Sequence, residues 1–133
     1  MATTAILVAT GRAITANRIA GIGAMPKFVH WGTGTTIPAD GNTGLQTPRP
    51  EARVEGAFSV VTTVTPNDTY RVVGTLIAES AAAITEIGIF DSVGTGTPPT
   101  GGALFVRAVF PVINLDVGDA LQFTIDTAIR LPV

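Results

Sequence analysis

Residues 120–131, ALQFTIDTAIRL, decide the class of the fold. Leu121, Phe123 and Ile125 share one side of an extended chain while Gln122, Thr124 and Asp126 share the other, because successive strand side chains point to opposite faces. This is the pattern of an antiparallel strand with one face on a core and the other in water. The preceding strand, ALFVRAVFPV (103–112), is different. Leu104, Val106, Ala108 and Phe110 alternate with Phe105, Arg107 and Val109, so both faces are largely apolar and both need covering, by a second sheet or by a sister subunit. The turn-forming NLDVGD (114–119) connects the two strands.

Working further back, ITEIGIFD (84–91) reads as a strand, and AFSVVTTV (57–64) and TYRVVGTLIA (69–78) read as a hairpin turning through TPND (65–68). Five strands at this spacing, with no helical pattern between them, predict an all-β fold: an antiparallel β-sandwich or a distorted barrel. Its expected core contains Val72, Leu76, Leu104, Val106, Phe110, Leu121, Phe123 and Ile125.

The chain changes character upstream of residue 57. PKFVHWGTGTT (26–36) contains a strand of about five residues entering a glycine turn, and IPADGNTGLQTPRP (37–50) has no period and reads as a loop. Residues 1–25 predict an extended N-terminal arm, leaving 26–133 as the β-domain, with the clearest strands in 57–133. Within the arm, TAILVAT (4–10) suggests a short strand, and AITANRIAGI (13–22) a short helix with Ile14, Arg18, Ile19 and Ile22 along one side. Ile6, Leu7, Val8, Ile14, Ile19 and Ile22 are too sparse to form a core of their own. They suit docking of the arm on an exposed sheet edge of a partner.

Composition narrows the function. Charged residues are 14% of the 133, the formal net charge is −2, and the basic residues are scattered, so there is no electrostatic footprint for nucleic acid. No apolar run approaches the ~20 residues that span a bilayer, and the start lacks the basic region of a secretory signal, so a mature chain with no membrane partner is expected. The absence of cysteine removes disulfides, thiolate metal sites and thiol catalysis together. With 46% hydrophobic residues and a mean hydropathy of +0.44, some apolar surface is expected to meet another chain.

No constellation of catalytic residues stands out. GIGAMPK (21–27) and WGTGTT (31–36) satisfy neither dinucleotide nor P-loop spacing. His30 lies among Phe28, Val29 and Trp31, a context for strand packing rather than for a base or a metal ligand. Asp116 and Asp119 are two carboxylates where calcium takes six to eight oxygens, so their expected role is to bond nearby backbone amides. No GxSxG elbow and no second His accompany any serine. A non-enzymatic protein without cofactor or metal is predicted. The most charged stretch, RPEARVEG (49–56), places Arg49, Glu51, Arg53 and Glu55 on one face if extended. Such a face is either a solvated edge strand or a salt-bridged seam that fixes register against a neighbouring subunit.

The succession WGTGTT, TYRVVGTLIAESAAAITEIGIFD (69–91) and GGALFVRAVFPVINLDVGDALQFTIDTAI (101–129) resembles small structural proteins of tailed bacteriophages. In these a strand ending in Gly-Ile-Phe-Asp precedes a loop, an apolar strand, a Gly-Asp turn and a terminal strand. The likeness covers roughly residues 26–130. It implies a virion structural protein, assembled in the host cytoplasm, whose partners are the major capsid protein or other virion proteins and copies of itself as a dimer or trimer. A capsid cement or decoration protein fits the compact size, the apolar surplus and the arm. A tail, baseplate or tail-fibre component is the alternative, since fibre proteins normally continue into a shaft or tip. A glycan-binding β-sandwich is a third reading, for which Trp31 and Tyr70 are few aromatics.

Overall fold

The structure, a computed structural model, describes residues 3–129. Its elements run in the order β1 (Thr4–Leu7), α1 (Ala9–Ile19), β2 (Phe28–Gly32), β3 (Val54–Glu55), β4 (Ala57–Val61), β5 (Thr69–Ile77), β6 (Ala82–Phe90), β7 (Leu104–Leu115) and β8 (Ala120–Ala128). Two antiparallel sheets form among the described residues, a five-stranded one in the order β1-β7-β6-β2-β3 and a three-stranded one in the order β4-β5-β8. The sheets do not close on each other, so of the two expected architectures the chain adopts the sandwich.

Register explains which residues meet. Trp31, Ile87, Ala108 and Ala5 lie side by side across the large sheet, as do Val29, Ile89, Val106 and Leu7. These two rows face the small sheet, where Val72 and Leu76 of β5 are fully buried and Leu121, Phe123 and Ile125 of β8 are half-buried against them. The chain passes between the sheets at Gly56, where a Cβ would come within 2.6 Å of a Val72 methyl. A side chain there would push the layers apart.

The apolar content of both faces of β7 has an intramolecular cause. Over its middle the outer face of the large sheet is covered by the chain's own segment 33–53, a third layer of irregular backbone that bonds to His30, Glu86 and Arg107, while Val112 and Ile113 near the end of β7 stay exposed. Leu104 belongs to this side, packing with Val8 and Phe90, although simple alternation places it with Val106. The ladder shifts register between Ile89 and Phe90, and β7 turns Leu104 over while Phe105 packs in the inter-sheet core. A second shift sets Thr85 against 110–112, where Pro111 has no N–H to offer a ladder.

The extended arm expected of residues 1–25 is not what the described part of that segment forms. Residues 4–7 pair with β7 from Thr4↔Val109 to Leu7↔Val106 and complete the large sheet, Val8 is fully buried, and α1 lies on β7. Gly11 makes that contact possible: a Cβ would sit 2.0 Å from the carbonyl oxygen of Phe105. The Thr10 hydroxyl donates to the carbonyl of Leu104 at 2.5 Å. Ile6, Leu7, Val8 and Ile14, too sparse for a core of their own, are one edge of cores completed by Phe90, Leu104 and other residues distant in the chain. The helix begins at Ala9, earlier than the periodicity suggests, and gives way after Ile19 to Gly21 in the left-handed region at φ 78°. Of the side proposed for it, Ile14 is buried, whereas Ile19 and Ile22 are 81% and 60% exposed.

Candidate interaction surface

Most of the charged groups that sequence inspection singles out are structural ties. Glu86 on β6 and Arg107 on β7 are fully buried beneath segment 33–53, with Arg107 Nε donating to Glu86 Oε1 at 3.0 Å. The carboxylate also accepts the backbone N–H groups of Gly34 at 2.7 Å, Gln46 at 2.9 Å and Thr47 at 2.8 Å. The guanidinium donates onward to the side-chain oxygens of Asn42 and Thr36. A loop rich in Gly, Thr and Pro cannot satisfy its own amides, and this pair supplies what the loop lacks. Neither residue is among the candidates that the sequence offers. The signal available was a lone charge inside each of two otherwise apolar strands, which burial allows only with a partner.

The segment 49–55 does not present one charged face. Only Val54 and Glu55 are in a strand, because Pro48 and Pro50 withhold N–H groups from any longer ladder. Arg49 turns back to Glu51 in a two-pronged pair, with Nη2 to Oε2 at 2.8 Å and Nε to Oε1 at 3.1 Å. Buried Glu51 additionally accepts the Trp31 indole N–H and the Glu79 amide, and its pKa is lowered because these donors, led by Arg49, outweigh the cost of burial. Arg53 lies 3.7 Å over the ring of Phe90 and donates to the carbonyls of Ser92 and Gly101. Glu55, exposed, pairs with Lys27 at 2.6 Å. Each member of the proposed seam is held within the chain, and Glu51 and Arg53 are buried there.

His30 is buried, its Nε2 2.9 Å from the Arg49 carbonyl and 3.0 Å from that of Glu51. Two acceptors require Nε2 to carry the proton. Burial, followed by the charge of Arg53, keeps its pKa below the usual imidazole value against the pull of the carbonyls. Its Nδ1 and the Nε of Arg53 are the buried side-chain polar atoms without a partner among the described residues. Asp119 accepts the Asp116 amide at 2.8 Å across the β7–β8 turn. Among the described residues no three His, Cys, Asp or Glu side chains are grouped to hold a metal.

The fold also leaves apolar side chains uncovered. On β4, Phe58 and Val60 face the same way as Val72 and Tyr70, toward the inter-sheet space, yet they are 48% and 61% exposed because the large sheet does not reach over them. Beside them an open groove of about 870 Å³ is bordered by Val60, Val64, Tyr70 and Ile129. Phe58 and Tyr70 stand 6.4 Å apart, and the Tyr70 ring meets Phe105 edge-on at 5.9 Å. Tyr70 donates its hydroxyl to the Pro26 carbonyl at 2.7 Å, and burial pushes its pKa up to about 12. The far wall is a turn tied together by Asp68. Asp68 accepts the amides of Thr65 at 2.9 Å, Thr63 at 2.9 Å and Val64 at 3.1 Å, and these bonds hold its carboxyl well below the ordinary range. Asn67 there adopts φ 59°.

This surface is not the one predicted. Of the residues expected to meet a partner, Val8, Ile14, Glu51 and Arg53 are buried in the body and Ile6, Leu7 and Arg49 are half-buried; Ile19, Ile22 and Glu55 remain outside. Phe58 and Val60, expected within an ordinary strand, are on the accessible apolar face. No protein-family model, no curated protein and no solved structure matches this chain.

Proposed function

We propose that the chain is a non-enzymatic structural subunit of a tailed-bacteriophage virion, which associates with other virion proteins and with copies of itself through β4 and its adjoining groove. The observation that carries this reading is the concentration of exposed apolar side chains on a strand with a free edge: Phe58 and Val60, with Val64 and Ile129 beside them. Contiguous apolar surface of this kind marks association sites. A non-catalytic role is supported by the use of Glu86, Glu51, Asp68 and Asp119 to hold backbone amides, which leaves those carboxylates engaged in structure.

Capsid cement, binding and stabilising the lattice of the major capsid protein, is the location we favour on compact size and apolar surplus. The packed N-terminus favours a second location in the tail or baseplate, since residues 4–19 lie on the body and do not reach out along a lattice. Quantitative mass spectrometry of purified particles tests both. Recovery in proportion to the major capsid protein supports cement, recovery in proportion to tail proteins supports the tail component, and absence from the particle overturns the proposal.

A further inference from the structure

We infer that β4 is a self-pairing edge: two copies of the chain join antiparallel through residues 57–61 about a two-fold axis at Ser59, fusing their small sheets into one. This deepens the assembly reading above and rests on it only for where the pairing is used.

Free edges are ordinarily guarded by charge, proline, a bulge or a covering loop. β4, AFSVV, carries no charge and no proline, its ladder to β5 runs in unbroken register from Ala57↔Val73 to Val61↔Thr69, and it stands at the end of its sheet. Of the other edges, β8 contains Asp126 and β3 contains Glu55, while β1, also uncharged, is four residues long and gives way at once to α1. That difference selects the occupant. In an isologous contact every charge near the axis meets its own copy, which costs stability for like charges; β4 itself has none, and the nearest, Arg71 opposite Ser59 and Lys27 over Phe58, are already paired with Asp126 and Glu55.

Parity then selects the register. Antiparallel partners share a face, and inner faces must match for two sandwiches to lie alongside each other, so odd residues meet odd and even meet even. Full overlap of the five residues has one solution: Ala57 opposite Val61, Phe58 opposite Val60, and Ser59 opposite itself. A slip of one residue would set inner face against outer. On the inner side, Phe58 and Val60 of both copies would close over the gap that the large sheet leaves. A strand of five residues is about 17 Å long and covers less than the roughly 800 Å² per partner of a standard interface. Dilute protein should therefore pair weakly, and arrayed copies more completely as effective concentration rises.

The chain has no cysteine, so one substitution places its sole thiol. Ser59 is exposed, and directly paired residues across an antiparallel ladder are near enough for a disulfide. Under mild oxidation Ser59→Cys should yield a disulfide-linked dimer, whereas Thr75→Cys, exposed on the central strand of the same sheet, stays monomeric. Ala57→Cys and Val61→Cys should each cross-link poorly alone and well when mixed. Adding Val60→Lys to Ser59→Cys should abolish the cross-link by opposing charge to Phe58 of the second copy. Ser59→Cys that cross-links no more than Thr75→Cys overturns the inference, as does an unmixed Ala57→Cys that dimerises as readily. Ser59→Cys that links only to a different virion protein also overturns it, giving the edge to a foreign strand. A dimer from a chain that is missing from particles would leave self-pairing standing and remove the virion reading.

Discussion

Replacing Glu86 by glutamine keeps the shape of the buried side chain and removes half of its accepting capacity. Oε2 accepts the amides of Gly34 and Thr47, and Oε1 the amide of Gln46 and the Nε–H of Arg107, so in either orientation an NH₂ group is turned toward two donors. Arg107, fully buried, also loses its counter-charge. Removing one member of a buried pair costs about 3–5 kcal/mol and a stranded buried N–H about 1–3 kcal/mol. The terms overlap, since both concern one carboxylate, and a total of about 4–6 kcal/mol is expected from them. That is a large part of the ~5–15 kcal/mol by which domains are stable. Urea unfolding followed by tryptophan fluorescence reports it through Trp31, and chymotrypsin cleavage at Leu45 reports whether segment 33–47 detaches before the sandwich unfolds. Substituting Arg107→Met on the Glu86→Gln background should recover part of the loss, because no unpaired charge then remains. A Glu86→Gln protein within about 1 kcal/mol of the parent, with Leu45 still protected, would refute the idea that this carboxylate holds the loop.

Gly11→Ala should destabilise by about 1–3 kcal/mol by pushing α1 off β7, and it should raise tryptic cleavage at Arg12 and Arg18. Deleting residues 2–24 should expose the backbone edge of β7 and lower the urea midpoint, opposite to the behaviour of a detachable arm. Phe123→Ala should cost about 2 kcal/mol, below the value for a fully buried ring, because Phe123 is half-buried beside Phe110 at 5.8 Å. His30 has a folded-state pKa below that of the unfolded chain, so its contribution is complete above about pH 6.5 and is lost as the pH falls from there toward the folded value. Urea midpoints measured from pH 7.5 to 5 should fall less steeply in a His30→Gln variant.

The local chemistry of this chain was legible in its sequence wherever a residue's environment follows from its strand neighbours. The alternation of 120–128 appears as the half-buried face of β8, and the hairpin through residues 65–68 and the loop at 37–50 stand where the turn residues place them. Ile129, Arg130 and Leu131 continue the quoted run, the last two outside the described residues. Period and turn chemistry are properties of neighbouring residues, so one dimension suffices for them. The sandwich itself, the packing of residues 4–19, and the use of segment 33–53 as a covering layer depend on contacts across many residues. Ile6 and Val8 look like a sparse arm until β7 and Phe90 are beside them. Arg49, Glu51, Arg53 and Glu55 share one face on paper and make three separate attachments in space, Arg49 with Glu51, Arg53 with Phe90 and two carbonyls, and Glu55 with Lys27, because each charge finds the partner that the tertiary fold brings to it. Phe58 and Val60 show the converse: their alternation points inward, and only the reach of the opposite sheet decides that they remain uncovered.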